Sequence, residues 1–300
     1  MNNALLFFFN INVSEIKKIN NNYYFRYLNS DYGVYFYERD IEEALEIYYL
    51  NLELITSGFG GYEIILTKDN EVLFGYENNY YVLMKLPNVK NRLINFYDVI
   101  SFYYVPTFKI KKLDKSNWSY NWSNKIDFIE YQFDQIRGKY KVIDSSIDYF
   151  IGMWENAISY YNDNVNTNGE KIVCHKRIDV NMDLLDFLNP LNFVVDYKER
   201  DRGEFLKSFV LNNNYTESIL NEYLRINNLD DIVLLIARIL FPSYYFDLYE
   251  EVVLDNRDES DIEKILKKKD NILYLISYIF NRFNNYNIPV IDWIKKEISR

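Results

Sequence analysis

Hydrophobic and polar positions change their period along this chain, and the change divides it in two. In "NNYYFRYL" (21–28) and "YGVYFYER" (32–39), aromatic and β-branched residues run densely on either side of the turn-forming "NSDYG". That pattern predicts a β-hairpin. A helix follows, with Asp40 as its cap and Glu43 three residues on, as in a capping box. Ile41, Leu45, Tyr48, Tyr49, Leu52 and Ile55 recur at helical spacing and are expected to be its buried stripe. "SGFGG" ends it. "YEIILT" and "YYVLMKL", with "KDNEVLFGYENN" between them, predict two strands and a short middle one. The apolar start, "MNNALLFFFNIN", is expected to be a buried strand. It has neither the basic segment nor the small-residue site of a signal peptide.

Past Pro87 the period becomes helical. Residues 91–104 are expected to form one helix and "KKLDKSNWSYNWSN" a polar break, with the "WSYNWS" aromatics packed beneath it rather than stacked on a sugar or a base. Ile126, Ile129, Phe133 and Ile136 mark one helical face. Ile147, Phe150, Ile151, Trp154, Ile158 and Tyr161 mark another. "NDNVNTNGE" reads as a loop, and 171–200 as short strands and loops. Helices are expected over 203–211, 216–226, 230–240, 244–252, 259–268, 270–283 and 290–299. The expected fold class is therefore α+β: a small mixed lobe over residues 1–86, then a larger, mainly helical lobe over 87–300.

Composition narrows the function classes. A net charge of −10 argues against a general nucleic-acid or anionic-membrane binder, because both need clustered cations. No run approaches the ~20 apolar residues of a membrane span. A single cysteine excludes an internal disulfide and a multi-cysteine zinc site. The 30 tyrosines and 21 phenylalanines fit either a bias in codon usage or surfaces that bind other proteins.

The only cysteine and the only histidine, Cys174 and His175, are adjacent in "KIVCHKRIDV" (171–180). Neighbours on an extended strand point to opposite faces, so a Cys–His dyad is not expected. Cys174 reads as a small buried apolar residue.

Four segments carry a family resemblance: "YFIGMWENAISYYND" (149–163), "VCHKRID" (173–179), "LNFVVDYKERDRGEFLKSF" (191–209) and "LLIARILFPSYYFDLYEE" (234–251). In this order they resemble the spore-coat kinase-like proteins of the CotS/YutH group, within the superfamily of aminoglycoside and choline phosphotransferases. The resemblance covers about residues 120–251. It implies a two-lobed protein-kinase-like fold.

It also implies a set of catalytic parts. Phosphoryl transfer is mostly positioning and charge neutralisation. The superfamily's catalytic loop resembles His-Gly-Asp, four residues, then Asn. Laid from His175, the glycine falls on Lys176, the aspartate on Arg177 and the asparagine on Met182. Arginine cannot accept a proton at any useful pH, and methionine is a poor donor to hard Mg²⁺. Asp179 and Asn181 lie close enough for a shifted loop to supply a ligand. Asp196 matches the metal-binding aspartate, with pairing to Arg177 or Arg200 as its alternative role. Arg200 and Asp201 resemble the pair that braces the loop. His175 is expected to hold the loop through a backbone hydrogen bond.

On the nucleotide side, no lysine lies in 32–39. Arg26 and Arg39 are the possible substitutes, and Glu42, Glu43 or Glu46 would be the helix carboxylate, each otherwise a solvated acid. Residues 11–32 lack glycine; Gly33 and "GFGG" at 58–61 lie outside a phosphate loop. The resemblance therefore implies a catalytically degenerate pseudokinase with no cofactor. Its partners would be other spore-coat proteins, in an endospore-forming Bacillota-type bacterium. The protein would be made in the mother-cell cytoplasm and then deposited on the coat. The alternatives are an active small-molecule phosphotransferase using ATP and Mg²⁺, with an unusual base such as Asp179, or a nucleotide-sensing pseudokinase.

Overall fold

The computed structural model describes residues 1–165, 169–212, 215–226, 228–255 and 257–298. In chain order, helix α1 (Asn2–Phe9) is followed by strands β1 (Lys17–Ile19), β2 (Asn22–Tyr27) and β3 (Ser30–Phe36). Helix α2 (Ala44–Thr56) and strands β4 (Glu63–Ile65), β5 (Phe74–Tyr76) and β6 (Asn79–Lys85) come next. Then come α3 (Phe96–Ser101), α4 (Trp118–Ile136), α5 (Lys141–Asn164), β7 (Lys171–His175), α6 (Leu184–Phe187) and β8 (Phe193–Tyr197). The remaining helices are α7 (Glu199–Leu211), α8 (Glu217–Tyr223), α9 (Leu229–Leu240), α10 (Ser243–Asp255), α11 (Ser260–Leu266), α12 (Lys269–Arg282) and α13 (Asp292–Ile298). The chain forms two compact units. The first holds residues 1–94, 104–114 and 181–195; the second holds 95–103, 115–180 and 196–300.

The first unit is built on an antiparallel sheet of order β1-β2-β3-β6-β4, with β5 also paired to β6. The predicted hairpin is β2–β3, and its turn is tighter than "NSDYG" suggests. Tyr27 pairs with Ser30, so Leu28 and Asn29 alone reverse the chain, at φ 46° and 62°. Two left-handed residues match the twist of the flanking strands. Glu77 and Asn78 repeat the device between β5 and β6, at φ 49° and 62°.

"MNNALLFFFNIN" is not a strand. It forms α1, which ends at Asn10 in the left-handed conformation. Leu5 is wholly buried and Phe8 and Phe9 close on Phe74, with ring centroids 5.3 and 5.2 Å away, whereas Phe7 stays 70% exposed. A short, uniformly apolar run carries no period that separates helix from strand.

The helix after the hairpin forms where expected, but the opposite stripe is buried. Ala44, Ile47, Leu50, Asn51 and Leu54 face inward. Ile41, Leu45, Tyr49 and Leu52 are exposed. "ALEIYYLNLELIT" is apolar on two faces, so spacing alone cannot choose between them. What chooses is the neighbouring chain: Asn51 donates to the Tyr62 carbonyl at 2.9 Å, and Tyr62 packs edge-on to Tyr35 of β3.

The second unit is mainly helical around a core of α4, α5, α7, α9, α10 and α12 residues. The predicted faces of α4 and α5 are buried, with Ile136, Ile151 and Ile158 at the margin. The predicted helix over 91–104 shrinks to α3. Asn95 and Asp98 form a reciprocal capping box that starts it at Phe96, while the segment before it is extended and Leu93 bridges to Asp183. The expected polar break contains the start of α4. Asn117 caps it, and Trp118 and Trp122, one turn apart, are both buried. "NDNVNTNGE" follows α5, and its residues 166–168 lie outside the described residues. The stretch 229–255 is long and apolar enough to cross a membrane by composition, which the sequence reading did not anticipate. Pro242 separates α9 from α10 within it, and 78% of its most apolar window is buried inside the protein.

Candidate functional site

The segment around His175 is held by charge and backbone amides together. Strands β7 and β8 form a two-stranded sheet, and β8 is buried throughout. Cys174 is buried, with Sγ 3.5 Å from the Tyr197 carbonyl; burial pushes its thiol well above the usual range. It is an interior residue, not a nucleophile. The His175 N–H donates to both oxygens of Asp201, at 3.0 and 3.2 Å, and the ring Nδ1 lies 2.6 Å from Asp201 Oδ2. The imidazole is thus anchored on a carboxylate through Nδ1.

Arg200 holds the same segment from the other side. Its Nε donates to the His175 carbonyl at 3.0 Å and its Nη2 to the Lys176 carbonyl at 3.2 Å. Its Nη1 donates to Asp196 Oδ2 at 2.6 Å. The fork geometry of a guanidinium lets one side chain reach all three acceptors.

Asp196 is fully buried. Its Oδ1 accepts from the Trp118 indole at 2.8 Å and from the Tyr197 amide at 2.7 Å, while Oδ2 accepts from Arg200. Burial pushes its carboxyl up, and Arg200 and Arg238 pull it back. Of the two pairings open to Asp196 from sequence, the structure has the one with Arg200. Arg177 instead points its Nη2 to Asp247 Oδ1 at 3.3 Å, with its side chain 60% exposed. Lys176, Asp179 and Asn181 are exposed. In the first unit, the Met182 carbonyl accepts from the Ile94 amide at 3.0 Å.

Beneath this segment lies a buried polar group that sequence reasoning missed. Glu204 Oε1 is 2.6 Å from Arg238 Nε and 2.8 Å from Lys207 Nζ, and Glu204 Oε2 accepts from Ser243 at 2.7 Å. Burial opposes ionisation of Glu204, but Arg238 and Lys207 outweigh it and hold the carboxyl at about 2. The Arg238 guanidinium also lies over the rings of Trp118, Trp122 and Phe241, at 5.5, 5.9 and 5.1 Å. The signal was present in "LLIARILF": a lone cation in an apolar helix needs a buried acid.

The residues considered for the nucleotide side lie in the first unit. Arg26 is exposed on β2. Arg39 is almost wholly buried: Nε pairs with Glu43 at 2.6 Å, and Nη1 donates to the carbonyls of Leu191 and Phe193 at 3.0 and 2.7 Å. Glu42 pairs with Lys112. Glu46 accepts from the consecutive amides of Lys111, Lys112 and Leu113, at 3.0, 2.9 and 3.0 Å. Glu42 is exposed, as expected for a solvated acid, whereas Glu43 and Glu46 are held by Arg39 and by backbone amides. Gly33 lies within β3, where a Cβ would come within 2.4 Å of the Tyr35 ring; its role there is packing. Among the described residues, no three His, Cys, Asp or Glu side chains are arranged to hold a metal ion.

Comparison with known proteins agrees with this anatomy. The family model described as "Spore coat putative kinase YutH" matches residues 2–273. The endospore coat-associated protein YutH of Bacillus subtilis (strain 168) is 24% identical over 294 residues, covering 86% of this chain and 87% of that protein. Among solved structures, an aminoglycoside phosphotransferase from Alicyclobacillus acidocaldarius superposes with a TM-score of 0.62. It is 10% identical, over 91% of this chain and 93% of that one. A spectinomycin phosphotransferase in complex with ADP and spectinomycin gives 0.57 at 12% identity, over 93% and 96%. An amicoumacin kinase gives 0.54 at 9% identity, over 94% and 92%. These likenesses establish the fold as that of the kinase-like phosphotransferases. With nearly its whole length matched by the family model, the chain belongs to the YutH family of spore-coat kinase-like proteins.

Proposed function

We propose that this protein is a catalytically degenerate member of its fold, acting through contacts with other spore-coat proteins during coat assembly. The observation that carries the reading is the state of Asp196. An acceptor oxygen offers two lone pairs. Oδ1 already receives two donors, and Oδ2 receives a guanidinium at 2.6 Å. This donor set does not fit Mg²⁺, which demands near-octahedral oxygen ligands and keeps much of its water. The one lone pair left, on Oδ2, lies beside the Arg200 guanidinium, so a divalent cation there would face a fixed like charge. Arg177, at the position matching the catalytic aspartate, supplies a fixed positive charge and no proton acceptor.

The relative YutH is named for its association with the endospore coat, and the same location is proposed here, reached from the mother-cell cytoplasm. A fluorescent fusion expressed in an endospore-forming host tests this. The expected result is a shell on the developing spore, unchanged by Arg177→Ala. Fluorescence dispersed through the mother cell would contradict the coat assignment. Loss of the shell in the Arg177→Ala variant, with protein level unchanged, would contradict the claim that the degenerate loop has no active part.

A further inference from the structure

A second feature of the helical unit lies apart from the Asp196 network. Residues of α3, β7, α7 and α9, with the segments after α3 and α8, line an open cavity of about 260 Å³. Val99, Ile100, Phe102, Tyr103, Ile172 and Ile226 supply its apolar lining, and Lys198, Glu199, Arg202, Arg225 and Asp231 its charged lining. Four of those groups are engaged in pairs. Lys198 Nζ is 2.7 Å from Asp231 Oδ2, and Arg202 Nη1 is 3.0 and 3.1 Å from the two Glu199 oxygens. Arg225, by contrast, forms no ion pair among the described residues, so its guanidinium is the cation of this lining left open to a ligand.

This pairing selects the ligand. A dianion would need a second available cation, and the donors of Lys198 and Arg202 are already held by Asp231 and Glu199. A planar carboxylate suits a lone guanidinium, which can grip both oxygens at once. The apolar lining calls for a hydrocarbon body, and the volume, just under the ~300–1,000 Å³ of drug-sized ligand pockets, calls for a compact one. We propose that this cavity binds a small carboxylate with an apolar body, its carboxylate on Arg225 and its body against Ile100, Phe102, Ile172 and Ile226. This inference stands independently of whether the Asp196 network is catalytic.

Arg225 and Ile100 are both exposed, so their side chains can be changed without disturbing the core. Calorimetric titration of the full chain with phenylacetate tests the proposal, with phenethylamine and inorganic phosphate as comparison probes. The expected result is saturable binding of phenylacetate with a Kd below about 1 mM. Arg225→Gln, which removes the anchor, and Ile100→Trp, which fills the cavity, should each weaken it at least about tenfold. Phenethylamine should not bind, and phosphate should bind at least about tenfold more weakly than phenylacetate. The proposal is overturned by the absence of saturable binding, by unchanged binding in Arg225→Gln, or by phosphate binding as tightly as phenylacetate.

Discussion

Arg200 Nη1 lies 2.6 Å from Asp196 Oδ2, four residues earlier in the chain, and the same guanidinium holds the carbonyls of His175 and Lys176. Asp196 is fully buried, so this contact decides whether its charge is tolerable. Breaking a buried pair from one side costs about 3–5 kcal/mol, because the other charge stays behind. Arg200→Met should lose stability of that order, read from the urea midpoint at neutral pH. A loss below about 1 kcal/mol would mean that Arg238 alone compensates Asp196.

Trp118 offers a milder probe of the same network. Its indole N–H donates to Asp196 at 2.8 Å, and its ring stacks on Trp122 with centroids 5.1 Å apart. Trp118→Phe keeps most of the packing but removes a hydrogen bond to a charged group, worth about 1.5–3 kcal/mol. Equilibrium unfolding followed by circular dichroism should show a loss in that range.

Two buried glutamates give opposite pH signatures. Glu204 is held at about 2, below its ordinary 4.5, by Arg238 and Lys207 against the cost of burial. In acid the unfolded chain therefore binds the proton more readily. The stability from Glu204 is complete above 4.5 and is lost as pH falls towards 2. Burial pushes Glu199 up to about 7, with Arg202 only partly offsetting it. Its contribution is complete below 4.5 and is lost as pH rises through 7. Denaturant midpoints measured from pH 4 to 8 in Glu199→Gln should lack the decline that Glu199 adds to the wild-type profile over that range.

The face chosen by α2 is directly testable. Ile47 is 1% exposed and Leu45 is 54% exposed, two positions apart on one helix. Ile47→Ala should cost about 2–5 kcal/mol. Leu45→Ala should stay within about 0.5 kcal/mol. Equal losses would mean that both faces are covered.

Those two residues also show how far the sequence could be read. The hairpin, the helical faces of α4 and α5, and the family were legible, because a period or an ordered motif sufficed for each. The buried face of α2 was not, since two apolar stripes satisfy the same spacing and only the contact with Tyr62 and Tyr35 decides. The start of α4 was hidden because Trp118 and Trp122 sit among serines and asparagines that composition assigns to a loop. In the candidate site, the pairing of Asp196 with Arg200 was one of two alternatives. The partner of Arg177 could not be read, because Asp247 lies 70 residues further along the chain. Arg238 was visible as a cation out of place; its acid, Glu204, was one of many carboxylates until the fold brought them together.

The most direct test of catalytic degeneracy is a thermal-shift titration with ATP and Mg²⁺, run beside an assay for release of the γ-phosphate. The account predicts no saturable shift that depends on Asp196 and no release, either in the wild type or in Arg177→Asp, which restores the carboxylate at the loop position alone. A saturable shift abolished by Asp196→Asn, accompanied by phosphate release from the unmodified chain, would contradict it.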